Sequence, residues 1–466
     1  MSAVKAGNLP AIAEVVKQIW NSPAQDYEKA YAYFSEISAS DLIEWCADNA
    51  LMGFYSYGHP DGSNLNLFPT SGCPHKFQKV HQQQTITGGC SMCNYHSEFL
   101  DSIAAMQVLR EKDSAAYAKI MKQSFLKKRG RKPEPNLIEL VSGYDMFSEK
   151  ELPEEAAEAL FKKTKGRGLF KTDPKGGYVL EARADSIVQN RKRLEKFRKI
   201  FGNVPVEIEI GVEVGDGKNG IYDFLRNNWL NKNVSSEDIE EAISLCHQYD
   251  FKIQTNVLVG IPGLTEYHAR QAAIATVGWL VNQKPDSILL LPLNQKKYTL
   301  QDTIRNLEND ELERRGISYG RHTGTTWFYT LARTIGDLTA ANQEIKEKLK
   351  LAQISPNTNS IENYPVYNAR PDCVCTTKAV ELLSPYLTDI NYHAFEILGE
   401  DFGCAECYGQ YQALLERQAL AGQIPHTLRI IFSRISQHLF SCKTAKILNQ
   451  TFSNELQAAE NGKQNI

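Results

Sequence analysis

Residues 68–96 read FPTSGCPHKFQKVHQQQTITGGCSMCNYH, and the rest of the chain is organised around them. The stretch holds Cys73, Cys90 and Cys93, three of the ten cysteines. Cys90 and Cys93 form a C-x-x-C pair directly after Gly88 and Gly89, and sixteen residues separate them from Cys73, itself preceded by Gly72. Three thiolates on one loop can hold a metal or an iron–sulfur cluster and leave one coordination position open, as reactive sites require. A structural zinc completed by His75, His81 or His96 is the competing reading. The three cysteines alone do not decide between the two, and the residues that follow are needed.

Composition narrows the field. At 466 residues the chain has room for two or three domains. Its 42% hydrophobic and 23% charged residues are ordinary for a globular protein. A formal net charge of −3 gives no general attraction for nucleic acid or an anionic membrane. The first twenty residues lack a basic segment followed by an apolar one, and no apolar run reaches the length of a membrane span. A cytoplasmic location is expected, with the cysteines acting as ligands or free thiols rather than disulfides.

Along the chain, residues 1–60 are expected to be helical. Ile12, Val15, Val16 and Ile19 recur at helical spacing, and Tyr27, Tyr31, Tyr33 and Phe34 continue the stripe as core. Residues 64–70 alternate apolar and polar, as a first strand would. Helical spacing returns at 103–121, followed by the basic, proline-bounded loop at 127–132. From there strands predicted at 136–141, 177–181, 206–212, 252–259 and 287–291 alternate with helices predicted at 151–164, 186–201, 236–249 and 266–282. This alternation is the signature of parallel β/α units. Six units spread over about 230 residues suit an open or partial barrel rather than a closed eight-stranded one, and the chemistry of such folds lies at the C-terminal strand ends. The cysteine loop follows strand one and so falls at that end. The predicted division is a helical segment over 1–60, the barrel over 61–300, a helical C-terminal domain over 301–452, and a polar, disordered tail over 453–466. Within the third part Cys373 and Cys375 form C-x-C and Cys404 and Cys407 form C-x-x-C, with 28 residues between the pairs. Four cysteines in two close pairs have the count for a closed site holding zinc or an auxiliary iron–sulfur cluster. Cys46, Cys246 and Cys442 are expected in the core.

Six motifs in register resemble the radical S-adenosylmethionine (SAM) superfamily over residues 65–330. The likeness is to the branch that includes the elongator catalytic subunit and the archaeosine-forming tRNA enzyme. GGCSMCNY at 88–95 is similar to that branch's GGCTMCGY, VSGYD at 141–145 to its glycine motif, and EARAD at 181–185 to E-T-R-P-D. EIEIGVEVGD at 207–216, LVGIPGLTE at 258–266 and LPLNQKKYTL at 291–300 resemble its strand-four to strand-six motifs. The implied fold is α/β, a partial (β/α)6 radical SAM barrel with a helical N-terminal segment and a mainly helical C-terminal domain. The implied cofactors are a 4Fe–4S cluster on Cys73, Cys90 and Cys93, and SAM. The resemblance places Met92 by the adenine, Ser142, Gly143 and Asp145 by the amino group, Arg183 at the carboxylate with Glu181 on the same face, and Glu213 at the ribose, and it counts Tyr95 among the cofactor-binding residues. The family's usual first gap is three residues, against sixteen here. No catalytic acid, base or hydrogen donor stands out.

Two substrate classes follow from the resemblance. One is a precursor peptide, since the GCSMCNYH loop is similar to the maturases of nif-type leader peptides. These include the spliceases, which excise a tyramine unit at a Tyr-Gly site. The other is a tRNA base, as in the archaeosine enzyme. Near-neutral charge favours the peptide, because phosphate binding needs a broad basic surface and only 127–132 and 191–199 offer one. The implied partners are the peptide, a small peptide-delivering protein and a flavodoxin- or ferredoxin-type electron donor, with neither membrane nor nucleic acid.

Overall fold

The computed structural model describes residues 10–49, 56–58, 64–67, 70–77, 89–94, 97, 99–128, 138–142, 145–158, 161, 177–293, 296–315, 324–341, 343–352, 373–383, 404–419 and 423–462. Its centre is an eight-stranded sheet whose spatial order follows the chain. The strands are β1 (Ser56–Gly58), β2 (Asn64–Leu67), β3 (Ile138–Ser142), β4 (Gly177–Ala182), β5 (Val206–Glu213), β6 (Lys252–Val259), β7 (Ser287–Pro292) and β8 (Leu349–Leu351). The six expected strands are β2 to β7, each parallel to the next. Two strands were not expected. β1 adds antiparallel to β2, and β8 adds parallel to β7. Both are three residues long, too short to carry a periodic signal.

β5 shows why the sheet has two unlike faces. Val206, Ile208, Ile210 and Val212 are buried, while Glu207, Glu209 and Gly211 between them are half-buried. Alternation sends the first set toward the helices and the second to the opposite face. That opposite face is polar. Lys350 Nζ bonds Glu207 at 3.3 Å and Gln254 at 2.9 Å, and Asn256 Nδ2 bonds Glu209 at 2.5 Å. Burial pushes the Glu209 carboxyl up to about 8, with Glu181 adding to it.

The helices fall near their predicted places, including Ser236–Gln248, opened by a Ser235 capping box, and Glu266–Gln283, capped by Thr265. The predicted 186–201 helix is two, Ala184–Gln189 and Arg191–Phe201, parted at Asn190. The tail requires correction. Helix Cys442–Glu460 runs through most of 453–466, and Phe452, Leu456 and Ala459 are buried. Its polar composition hides a stripe at Ala445, Leu448, Phe452, Leu456 and Ala459. Phe452 stacks on Phe432 at 4.0 Å and meets Trp229 at 5.6 Å. Residues 463–466 lie outside the described ones. Glu455 accepts the Ala11 backbone N–H at 3.0 Å, joining the first and last helices among the described residues. Cys46 and Cys246 are buried as expected, but Cys442, at the start of the last helix, is exposed. No helix among the described residues is long and apolar enough to cross a membrane.

Candidate active site

The cysteine loop leaves the sheet beyond the C-terminal end of β2. Gly72 there has φ +79°, and a Cβ would come within 2.6 Å of the Phe77 ring, so both backbone and packing require glycine. The Cys73 carbonyl accepts the Lys76 and Phe77 N–H groups at 2.9 and 3.0 Å, starting the short turn Pro74–Phe77. Across the loop the Cys93 N–H returns to the Cys90 carbonyl at 3.2 Å. Lys76 joins the two halves. Its ammonium donates to the Cys93 carbonyl at 2.9 Å and lies 3.4 Å from the Trp20 ring centroid. The N-terminal helices therefore cover this loop, and Tyr27 packs on Phe77 at 4.7 Å.

All three thiols are half-buried and free of disulfides. Burial pushes Cys73 up to about 12, with Glu151 adding to it. Burial also raises Cys90, while Lys232 and Arg183 pull the other way. Those two cations can offset the charge that the thiols take on when they lose protons to a metal. Of the histidines that might complete a zinc site, His75 has its Nε2 bonded to the Asn231 carbonyl at 2.7 Å. Since a carbonyl only accepts, that nitrogen carries the proton and is not a ligand atom. His81 and His96 lie outside the described residues.

The residues expected around SAM are partly committed to one another. Met92 is half-buried, with its carbonyl facing Gln301 Nε2 at 3.4 Å. Ser142 ends β3, and Tyr95 and Gly143 lie outside the described residues. Asp145 is buried and accepts from Phe147 N at 3.2 Å, Arg183 N at 3.3 Å and Ser186 Oγ at 2.5 Å. The last two tie the turn after β3 to the helix after β4 and the first closes the turn itself, so Asp145 serves local structure. Arg183 donates from Nε and Nη2 to the two Asp185 oxygens at 3.0 and 3.1 Å. The fork expected for the SAM carboxylate is thus filled by Asp185, which leaves Nη1. Glu181 is half-buried on β4. Glu213 is buried beyond a bulge in β5, with φ +67°, and pairs with Lys232 Nζ at 2.5 Å.

Two features escaped the sequence reading. Buried Glu151 accepts from Thr70 Oγ1 at 2.9 Å, just before Cys73. The second is the segment 229–233, which borders the cysteine loop. The run of asparagines at 227–233 was its only sequence signal.

The second cysteine group converges as expected. The ligand atoms of Cys373, Cys375, Cys404 and Cys407 all lie within 4.8 Å of one another. Cys373 Sγ is 3.7 Å from Cys404 Sγ and 3.5 Å from Cys407 Sγ. Cys373 and Cys404 immediately precede the helices Val374–Leu383 and Ala405–Ala419, where the helix dipole favours thiolate charge. Bonds from Cys375 hold the Cys373 thiol down to about 6, while burial pushes Cys407 up. Tyr329 and Tyr411 stack beside the group at 5.3 Å, and the Tyr411 hydroxyl bonds Thr330 Oγ1 at 2.9 Å. Thr330 in turn donates to buried Glu266, at the start of the helix after β6.

No family model matches the chain. It is 23% identical over 220 residues to an uncharacterized protein of Methanocaldococcus jannaschii, MJ0550, a match covering 47% of this chain and 54% of that one. The chain therefore spans about half the length of that relative. Two structures of TsrM, a radical S-adenosylmethionine methyltransferase from Kitasatospora setae, superpose with 11% identity. The form with cobalamin and a [4Fe-4S] cluster gives a TM-score of 0.27, covering 53% of this chain and 37% of that one. The form with tryptophan and a SAM analogue gives 0.33, covering 72% and 62%. At these scores the likeness does not define a shared fold.

Proposed function

We propose that the chain is a radical SAM enzyme whose sheet is an open β/α barrel and whose substrate is a ribosomally made precursor peptide. One observation carries the reading. A three-thiol loop stands at the C-terminal end of the first parallel strand, and Arg183 and Lys232, reached from later strands, bear on its thiols. Cys73, Cys90 and Cys93 would hold a 4Fe–4S cluster, and their donor set with flanking cations fits that group. Arg183 Nη1, which the Asp185 pair leaves over, and Glu213 would serve SAM. When bound, the pair supplies one-electron cleavage of SAM to methionine and a 5′-deoxyadenosyl radical. The chain's own part is to bind, orient and exclude water. The peptide is favoured by the net charge of −3 and by the α-helix Arg191–Phe201. On that helix Lys196 and Lys199 are already paired with Glu154 and Glu195, which reduces what the basic stretch offers to phosphates. A cytoplasmic setting, a peptide-delivering protein and a flavodoxin- or ferredoxin-type donor belong to the same proposal, as does tyramine excision at a Tyr-Gly site.

The four-cysteine group is proposed as a structural zinc site. Zinc–thiolate bonds of about 2.3 Å in a tetrahedron set the sulfurs about 3.8 Å apart, and the two separations given above, 3.5 and 3.7 Å, are close to that.

Anaerobically reconstituted protein should be brown, bleach with dithionite and release 5′-deoxyadenosine from SAM, and Ala at Cys73, Cys90 or Cys93 should abolish that release. A colourless protein holding only zinc on these cysteines refutes the enzyme reading. Release stimulated by tRNA and not by precursor peptides moves the substrate to a tRNA base.

A further inference from the structure

We infer that residues 229–233 form a clamp that shapes the Cys90–Cys93 loop before any cofactor arrives, with Lys232 as its positioning cation. The inference rests on the enzyme reading for its purpose but not for its geometry. It begins at Leu225–Trp229, a single π-helical turn closed by the Leu230 N–H on the Leu225 carbonyl at 2.7 Å. Such turns concentrate at functional sites. Asn231 and Asn233 follow with φ +54° and +52°. Asparagine is among the few residues that enter this region readily.

The two reversals turn consecutive peptide groups toward the cysteine loop. Ser91 Oγ donates to the Trp229 carbonyl at 3.0 Å, and Ser91 N to the Leu230 carbonyl at 2.9 Å. The Asn231 carbonyl accepts from His75 Nε2 at 2.7 Å, and its side-chain Nδ2 donates to the Gly89 carbonyl at 2.7 Å. The Cys73 side, through His75, and the Cys90 side, through Gly89 and Ser91, are therefore held by one segment. The next residue reaches the SAM side. The Lys232 carbonyl accepts from Arg183 Nη2 at 2.9 Å, and its ammonium pairs with Glu213.

The clamp is rigidly backed. Trp229 is fully buried, donates from Nε1 to the Pro262 carbonyl at 2.5 Å and packs on Phe452 of the last helix. Gly211 leaves room for the ion pair, because a Cβ there would run into both Lys232 Nζ and Glu213 Oε1. None of these contacts needs a metal, so the loop is preorganised.

Lys232 also has an electrostatic consequence. Its buried ammonium follows directly on Asn231, whose side chain bonds the residue before Cys90. A buried cation there favours the more negative state of a cluster and raises its reduction potential.

The test has two arms. In the chain without its iron–sulfur cluster but with zinc retained, Asn231→Asp keeps the backbone's tolerance for positive φ and removes the donor to Gly89. Ser91→Ala, the milder probe, removes one hydroxyl. Losing one such bond should speed amide exchange at Gly89–Cys93 about tenfold, with exchange elsewhere unchanged. In the reconstituted chain, Lys232→Met should move the cluster potential to a more negative value at unchanged iron content, and Lys232→Arg should restore it. Unchanged loop exchange in both first variants overturns the clamp, and an unmoved potential in Lys232→Met overturns the role of the cation. If the wild-type chain takes up no cluster, the enzyme reading fails and the exchange arm still decides the clamp.

Discussion

Glu266→Gln offers a quantitative check on the packing between the sheet and the four-cysteine group. Glu266 begins the helix after β6, is 6% exposed, and accepts from the Trp327 N–H at 3.2 Å and from Thr330 Oγ1. Burial pushes its carboxyl up to about 7 from an ordinary 4.5, the two hydrogen bonds opposing only in part. In the unfolded chain the group ionises near 4.5, whereas in the folded chain it keeps its proton to about 7. Between those values the folded state binds more protons, so this stabilisation is complete below pH 4.5 and is lost as pH rises through about 7. At about 1.4 kcal/mol per pH unit the loss is about 3 kcal/mol. Glutamine retains an acceptor oxygen and does not titrate. Urea unfolding of both proteins from about pH 4 to about pH 8, which brackets that window by roughly half a unit or more at each end, gives the difference directly. Wild type should lose about 3 kcal/mol more than the variant over this range. Glu455, also held up to about 7 by burial, titrates in both proteins and cancels. Parallel stability curves would refute the argument by showing that water reaches Glu266.

Three further outcomes follow from the structure. Cys404→Ser should lose bound zinc, measured by mass spectrometry, together with soluble yield, since a structural metal contributes folding energy directly; full zinc retention contradicts the site. Asp223→Ala strands the Arg226 guanidinium, both side chains being fully buried at 2.8 Å, and should cost about 3–5 kcal/mol in urea unfolding. Gly260→Ala forces a side chain onto φ +107° and against the Gly324 carbonyl, lowering stability by at least about 1–3 kcal/mol from backbone conformation alone.

The sequence by itself determined the order of six parallel strands, because each carries a local run of apolar residues between turn signals. It also determined that the C-x-C and C-x-x-C pairs belong together, since each short spacing brings two thiols to one helix start. The convergence of Cys373 and Cys375 with Cys404 and Cys407 followed from that count. Other features belong to tertiary structure alone. The last helix is polar along its length, and only its packing on Phe432 and Trp229 reveals five buried positions as a stripe. Arg183 stands in a motif suited to a carboxylate ligand, yet its fork closes on Asp185 two residues away. The clamp at 229–233 is the clearest case. Its bonds to Gly89 and Ser91 span more than a hundred residues of chain. Periodicity and spacing report neighbours along the chain, whereas these hydrogen bonds depend on two left-handed asparagines and a π-turn that bring distant backbone groups together.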